Sequence, residues 1–306
     1  MTTVASTAAR SAAPAARPAY RPASPVLLQI RDVIYKTAGI FQADNKIQML
    51  ENRCQKRMQA LGVATLNEYY ECLTSRPMHH AELVSLLNEI TIGETCFFRN
   101  RPQLDGIRKI VLPRIMEAKS KIALRHLRIW SAGCSTGEEP YTLAMMLLDE
   151  SAKLLKDWTF EVIATDLNEN SVAHAQAARY GDYSVRNTEP QILQKYFLPE
   201  QGKYAVKPEV KSVVSIKRMN LFDDARMMFM KGMDMILCCN VLIYFDVASK
   251  KRVIQHFYTN LFNHGYLFLG HSESLFGISD EFQLVHLPSS TVYVKAEKRL
   301  VQEGEK

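Results

Sequence analysis

The spacing of apolar positions changes character partway along the chain. Ile47, Leu50, Cys54, Met58 and Leu61 recur at helical spacing and form one apolar face, and Gly62 then supplies a natural stop. A second helical pattern runs through Leu83, Leu86, Leu87 and Ile90. From Arg125 onward, short apolar runs alternate with helical stretches. The runs are Leu127–Trp130, Phe160–Asp166, Val213–Ile216, Met233–Cys239 and Tyr266–Gly270; helical patterns fill 141–148 and 169–179. Alternation of this kind predicts an α/β fold built on a parallel sheet. Phe282–His286 and Thr291–Lys295, separated by Leu287-Pro288-Ser289-Ser290, read as a closing antiparallel hairpin. Between Tyr180 and Met219 lies an insertion with its own Pro and Gly punctuation, which predicts a small β subdomain at about 190–216. The organisation expected is a disordered Ala/Pro-rich tail over 1–25, a helical domain over 26–115, the sheet domain over 125–296 and a short tail over 297–306.

The stretch Arg128-Ile-Trp-Ser-Ala-Gly-Cys-Ser-Thr-Gly-Glu-Glu-Pro-Tyr141 organises the rest. Strand, small-residue turn and helix is how a doubly wound sheet opens a nucleotide site. The spacing is not a G-x-G-x-x-G, because serines stand where further glycines would. Glu138 and Glu139 would repel a pyrophosphate at the helix N-terminus, where a phosphate otherwise rests. A ligand carrying cations, such as the ammonium and sulfonium of S-adenosylmethionine, would be favoured there. Asp166 ends the second strand, where a carboxylate in such sheets accepts from ribose hydroxyls. The competing role, capping the next helix, can be taken by Asn168. Asn240 and Tyr244 follow the central strand, at the carboxyl edge where open sheets bind ligands.

Charge adds one refinement. The net charge of +6 lies wholly in the first part of the chain: three arginines and no acid in 1–25, then 12 basic against 9 acidic residues in 26–115. Within that excess, Lys46, Arg53 and Arg57 share a helix face, with Lys56 beside them. Arg53 and Arg57 are therefore candidate docking residues for an acidic partner. No aromatic-interleaved basic run supports nucleic-acid binding. No apolar run approaches the roughly 20 residues a membrane span needs. Six cysteines without CxxC spacing fit reduced thiols in a cytoplasmic protein, and neither they nor the eight histidines show metal-ligand spacing. Four prolines in the first 25 residues oppose an amphipathic transit helix.

Taken in order, Thr95-Cys-Phe-Phe-Arg99, the loop with its STGEEPY core, Ala164-Thr-Asp166, Asn220-Leu221, Asn240-Val-Leu-Ile-Tyr-Phe-Asp246 and Gly270-His-Ser-Glu-Ser274 resemble the chemotaxis receptor methyltransferases, the CheR family. The resemblance covers roughly 26–296. It implies a class I methyltransferase sheet with a reversed terminal strand, an N-terminal all-helical domain and an inserted β subdomain. It also implies S-adenosylmethionine as cofactor, with S-adenosylhomocysteine as product and no metal, and glutamates of chemoreceptor cytoplasmic helices as substrate. Matched residue by residue, Thr95, Arg99, Glu139, Asp166, Asn220, Leu221 and Asn240 would line the cofactor, and Arg99 and Tyr244 would border the methyl group as catalytic residues. A receptor C-terminal tail is a further expected partner at the β subdomain, and the chain is expected to act as a monomer. Gly93 stands where the family often has Asn, and Cys239 where it often has Arg, so both are left out of the expected site. Two other classes remain open on the residues alone. One is a class I methyltransferase for RNA or a small molecule; the other is a non-catalytic cofactor-binding signalling protein.

Overall fold

The computed structural model describes residues 23–91 and 93–295. The tail expectations for 1–22 and 296–306 fall outside the described residues.

Four helices open the described chain: α1 (Pro25–Ala38), α2 (Ile47–Leu61), α3 (Leu66–Thr74) and α4 (His79–Ile90). Their starts and stops follow local chemistry. The Ser24 side chain caps α1, Thr65 and Glu68 form a capping box on α3, and Gly62 ends α2 in the left-handed conformation. Leu27, Ile30, Ile34, Leu50, Cys54, Tyr69, Leu73 and Leu86 form their common core.

Next come α5 (Arg101–Gly106) and α6 (Leu112–Ser120), joined by a π-helical turn at Ile107–Val111. The sequence pattern grouped these residues with the helical domain. They pack instead on the sheet, where Ile107, Val111, Leu112 and Ile115 share a core with Leu127, Ile129 and Met235. Which layer an apolar helical stripe covers is a tertiary matter.

The sheet domain runs through β1 (His126–Ala132), α7 (Glu138–Ser151), β2 (Thr159–Asp166) and α8 (Glu169–Ala177). The insertion follows, with β3 (Arg179–Tyr180), α9 (Asp182–Val185), α10 (Pro190–Tyr196), β4 (Phe197–Glu200), β5 (Lys203–Val206) and α11 (Pro208–Lys211). The main sheet then resumes with β6 (Val214–Arg218), α12 (Asp224–Met227), β7 (Met233–Cys238), α13 (Val247–Asn260) and β8 (Leu261–Leu269), and closes on the hairpin β9 (Phe282–Leu287) and β10 (Ser290–Lys295). Seven strands lie in the order β6-β2-β1-β7-β8-β10-β9. The first five are parallel, and β10 is the reversed strand, antiparallel to both β8 and β9. This is the class I methyltransferase arrangement.

The small sheet β3-β5-β4 spans residues 179–206 rather than 190–216. Val214–Arg218, which the expected subdomain bounds cut at residue 216, pairs in parallel with Val162–Asp166 and belongs wholly to the main sheet. The chain order turns back between β1 and β7, so the loops after β1, β2 and β7 diverge over one crevice, where open sheets bind ligands.

Candidate active site

A cavity of about 660 Å³ lies over the carboxyl ends of β1, β2 and β7, within the range of about 300–1,000 Å³ typical of small-molecule sites. Ala38 and Ile40 from the helical domain and residues 93–100 of the connecting segment close its other side. Thr95, Arg99, Glu139, Asp166, Asn220, Leu221, Asn240 and Tyr244, drawn from five separate stretches of the sequence, all line it. Arg53 and Arg57 do not.

At the end of β2, Asp166 takes one backbone N–H on each oxygen: Ser135 N donates to Oδ2 and Asn168 N to Oδ1, both at 2.8 Å. Asn168, not Asp166, caps α8, its side chain accepting from Ser171 N at 3.1 Å. A carboxylate offers about four acceptor positions, so each Asp166 oxygen retains capacity toward the cavity. Desolvation nevertheless raises its carboxyl above the ordinary range, against the lowering effect of those amides.

The loop after β1 is shaped by two glycines. A Cβ on Gly133 (φ 80°) would run into the Val241 side chain, and one on Gly137 (φ 98°) would lie 2.8 Å from Ala175 Cβ and 2.9 Å from the Tyr180 hydroxyl. The tight turn sets Glu139 in the first turn of α7, where Ser131 Oγ donates to it at 2.7 Å. Burial raises the Glu139 carboxyl; the Ser131 bond and the Arg99 charge oppose the shift. Glu138, by contrast, turns away from the cavity, accepting from Thr136 Oγ1 and Ser184 Oγ. Only one member of the acidic pair faces the ligand space. The insertion braces this loop, because the Tyr180 hydroxyl donates to Thr136 O at 2.7 Å and its ring packs edge-on to Phe97 at 4.8 Å.

Beyond β7, Asn240 adopts the left-handed conformation (φ 62°). Glu273 stabilises that turn: its Oε2 accepts from Asn240 N (2.8 Å) and from Gly270 N (2.7 Å). Sequence reasoning quoted Glu273 within its motif but gave it no role; the signal available was its three-residue spacing from Gly270. Asn220 lines the wall but commits its amide elsewhere, donating to Thr37 O at 2.7 Å and accepting from Phe222 N at 3.0 Å. The Cys239 thiol lies 3.6 Å from Gln103 Oε1 and against Glu139, and burial followed by the Glu139 charge holds it well above its ordinary value. Cys134 is raised likewise by burial and then by Asp166. Neither thiol is a nucleophile near neutral pH.

Tyr244 ends a short 3₁₀ turn and is half-buried; burial and then the Asp166 charge raise its phenol, which stays protonated. Arg99 reaches the cavity from the opposite side, its Nη1 donating to Glu94 O at 2.9 Å. Phe98, in the left-handed conformation (φ 53°), gives the connecting segment the bend that delivers Arg99 to the cavity.

The two docking candidates on α2 separate. Arg57 is turned inward, its Nε and Nη2 forming a bidentate pair with the buried Glu82 at 3.0 and 2.8 Å, while Tyr69 donates to Glu82 at 2.8 Å. An arginine neutralising a buried carboxylate has no charge to spare for a partner, so the expectation for Arg57 is corrected. Lys56 pairs with Glu89 at 2.8 Å. Arg53 remains half-buried on the helix face, with no ion pair among the described residues.

The donor set fits S-adenosylmethionine. Glu139 and Asp166 supply negative charge and hydroxyl acceptors, Leu221 and Val241 supply apolar wall, and Ser135 Oγ is buried on the cavity wall without a protein partner. Among the described residues, no group of three or more His, Cys, Asp or Glu could hold a metal ion.

Comparison with known proteins agrees with this geometry. The family model "CheR methyltransferase, SAM binding domain" matches residues 93–291, and "CheR methyltransferase, all-alpha domain" matches 26–91. Chemotaxis protein methyltransferase 2 of Vibrio cholerae is 33% identical over 271 residues, which cover 88% of this chain and 92% of that one. Chemotaxis protein methyltransferase 1 of Pseudomonas aeruginosa is 34% identical over 269 residues (86% and 95%), and the Escherichia coli chemotaxis protein methyltransferase is 32% identical over 261 (84% and 86%).

Proposed function

Because this chain belongs to the CheR methyltransferase family and carries its S-adenosylmethionine-binding domain, we propose that it methylates glutamate side chains of chemoreceptor cytoplasmic helices. The observation that carries the reading is the convergence of Arg99 and Tyr244, from opposite walls, on one cavity that also holds Glu139 and Asp166. In this reading Asp166 accepts from the ribose hydroxyls, Glu139 faces the cationic end of the cofactor, and Thr95, Leu221 and Asn240 complete the wall. Asn220 acts mainly by holding the helical domain in place. The bound cofactor supplies an electrophilic methyl on a positive sulfur.

A glutamate acceptor, with an ordinary pKa near 4.3, is already ionised at neutral pH. Its oxygen forms the new bond to the methyl carbon while the electron pair of the broken carbon–sulfur bond stays on sulfur. No proton moves, so no general base is required, which accords with a phenol held protonated at Tyr244. What remains is alignment. Arg99 holds the carboxylate, Tyr244 fixes its direction, and the walls exclude water; positioning of this kind is worth roughly 7–11 kcal/mol.

The test is methyl transfer from labelled S-adenosylmethionine to a purified chemoreceptor cytoplasmic domain, followed by release of methanol in mild base, which marks a carboxyl ester. Label carried by RNA or a small molecule, with none on receptor, would replace this reading with one of the other class I chemistries. Cofactor binding without transfer to any of these would leave the signalling-protein reading.

A further inference from the structure

A second depression of about 540 Å³ adjoins the cavity, between residues 98–102 and 186–190, and shares Phe98 and Arg99 with it. Resting on the reading above, we propose that this groove holds a second acidic side chain of the acceptor segment, next to the glutamate that receives the methyl.

Three arginines line the groove, Arg99, Arg101 and Arg186, against one carboxylate, Glu189. Their surroundings assign them different tasks. Arg101 is a strut: Nη1 pairs with Glu189 at 2.5 Å and Nη2 donates to Asn187 O at 2.8 Å, so it fixes the groove wall. Arg186 is pinned from below, its guanidinium carbon 3.7 Å from the Tyr183 ring centroid and its Nη1 donating to Tyr183 O at 2.5 Å. Its other amino group only skirts Glu94 Oε1 at 3.5 Å, and the side chain is 35% exposed. A guanidinium has five N–H donors, and this one keeps several for an incoming carboxylate.

Glu94 ties the arrangement together, because its backbone carbonyl accepts from Arg99 while its carboxylate lies beside Arg186 and Tyr183. The two guanidinium groups are thus tethered to opposite ends of one residue. Thr188 Oγ1, on the same wall, is buried without a hydrogen-bond partner. The sign of the lining also changes across Arg99: acidic toward the cofactor end, where a cation belongs, and basic toward the groove, where an anion belongs. A carboxylate at Arg99 therefore places its near neighbours at Arg186, and on a helix residues three or four apart stand about 5–6 Å from one another.

The experiment uses the full chain and two synthetic helical peptides, each with one acceptor glutamate, differing only in whether the residue four positions on is Glu or Gln. With saturating S-adenosylmethionine, the wild-type KM should be about five- to tenfold lower for the doubly acidic peptide. Arg186→Gln should erase that preference while leaving kcat and cofactor affinity within twofold. Equal KM values for the two peptides on wild type, or a preference that survives Arg186→Gln, overturns the proposal. If neither peptide nor a receptor domain is methylated, the functional reading fails by itself, and fluorescence anisotropy of the same labelled peptides still decides the groove. Tighter binding of the doubly acidic peptide, lost in Arg186→Gln, supports it; equal binding overturns it. Single-stranded RNA that displaces the peptide from wild type but not from Arg186→Gln assigns the groove to phosphate and overturns an acidic side chain as its occupant.

Discussion

The two sides of the cleft are secured by different kinds of bond. On the sheet side, carboxylates grip backbone amides: Asp166 takes Ser135 and Asn168, and Glu273 takes Asn240 and Gly270. On the side formed by the helical domain and the connecting segment, side chain meets side chain. Arg57 and Tyr69 meet Glu82, Arg101 meets Glu189, and Tyr35 donates to Asp246 at 3.1 Å. An amide is present whatever residue carries it, so the sheet side depends on a few acids and tolerates change around them. Each of these three links on the other side needs particular side chains at both ends. Under the proposed function that is the side a protein substrate meets, and these links can be retuned one pair at a time.

Substitutions can break this contrast, the largest effect first. Arg57→Ala leaves Glu82 charged and buried, which should destabilise the chain by about 3–5 kcal/mol in a denaturant titration. Arg53→Glu, on the same helix at a half-buried position with no ion pair among the described residues, should change stability by no more than about 1 kcal/mol. If it raises the KM for receptor in a salt-sensitive way, Arg53 is the docking residue that Arg57 is not. Arg99→Ala should lower turnover at saturating receptor by about 10²–10³-fold, the scale for losing one positioned charge-stabilising donor. Arg99→Lys keeps charge without the planar fork and should recover only part of that. Single-turnover rapid quench separates either loss from product release.

On the sheet side, Asp166→Ala should weaken cofactor binding by about 1.5–3 kcal/mol, the worth of hydrogen bonds to a charged group, as read by calorimetric titration. Tyr244→Phe should slow transfer by about tenfold or less while folding and cofactor affinity persist, because its backbone carbonyl still accepts from Phe41 N. An unchanged transfer rate would make Tyr244 part of the wall only.

The smallest effect concerns Glu139. Its carboxyl is raised in the folded chain, mainly by desolvation, so the folded state keeps a proton that the unfolded state has lost. Its contribution to stability is then full below about pH 4.3 and is lost as pH rises through the raised value. Glu139→Gln should therefore raise the Tm of the unliganded protein slightly at pH 7 while weakening the cofactor. A fall in Tm would mean that the Ser131 and Arg99 interactions outweigh desolvation.

What was legible in the sequence follows the same division. The strands could be read because a buried parallel strand is a continuous apolar run, and Glu139, Asp166, Asn240 and Tyr244 because a tight turn or a strand end leaves a local mark. Thr95, Arg99, Asn220 and Leu221 carry no such mark and were reached only through the family resemblance. Partners across the fold left none. Helical spacing placed Arg57 on a face with Arg53, but Glu82 lies 25 positions on, and nothing local announces the pair. Val214–Arg218 looks the same whether it pairs in the insertion or with β2, and only the register against Val162–Asp166 decides. The stripe Ile107, Val111, Leu112, Ile115 suits either core. Glu273 escaped notice because its partners are amides, which every residue but proline possesses.

The end of α1 reaches across nearly the whole chain. Phe41 N donates to Tyr244 O, Ile40 bridges Phe245, and Thr37 O accepts from Asn220. Gly39 sits so near Phe222 that a Cβ there would come within 2.6 Å of the ring. Contacts that close loops of this length form late, because loop-closure entropy must be met before they are gained. During synthesis the helical bundle can gather as soon as it emerges, yet the mouth of the cleft has no second lip until residues 220–245 follow. A nascent or truncated chain ending short of them would hold the helical bundle but no pocket to deliver a methyl group, so the bundle and the site become complete at separate moments.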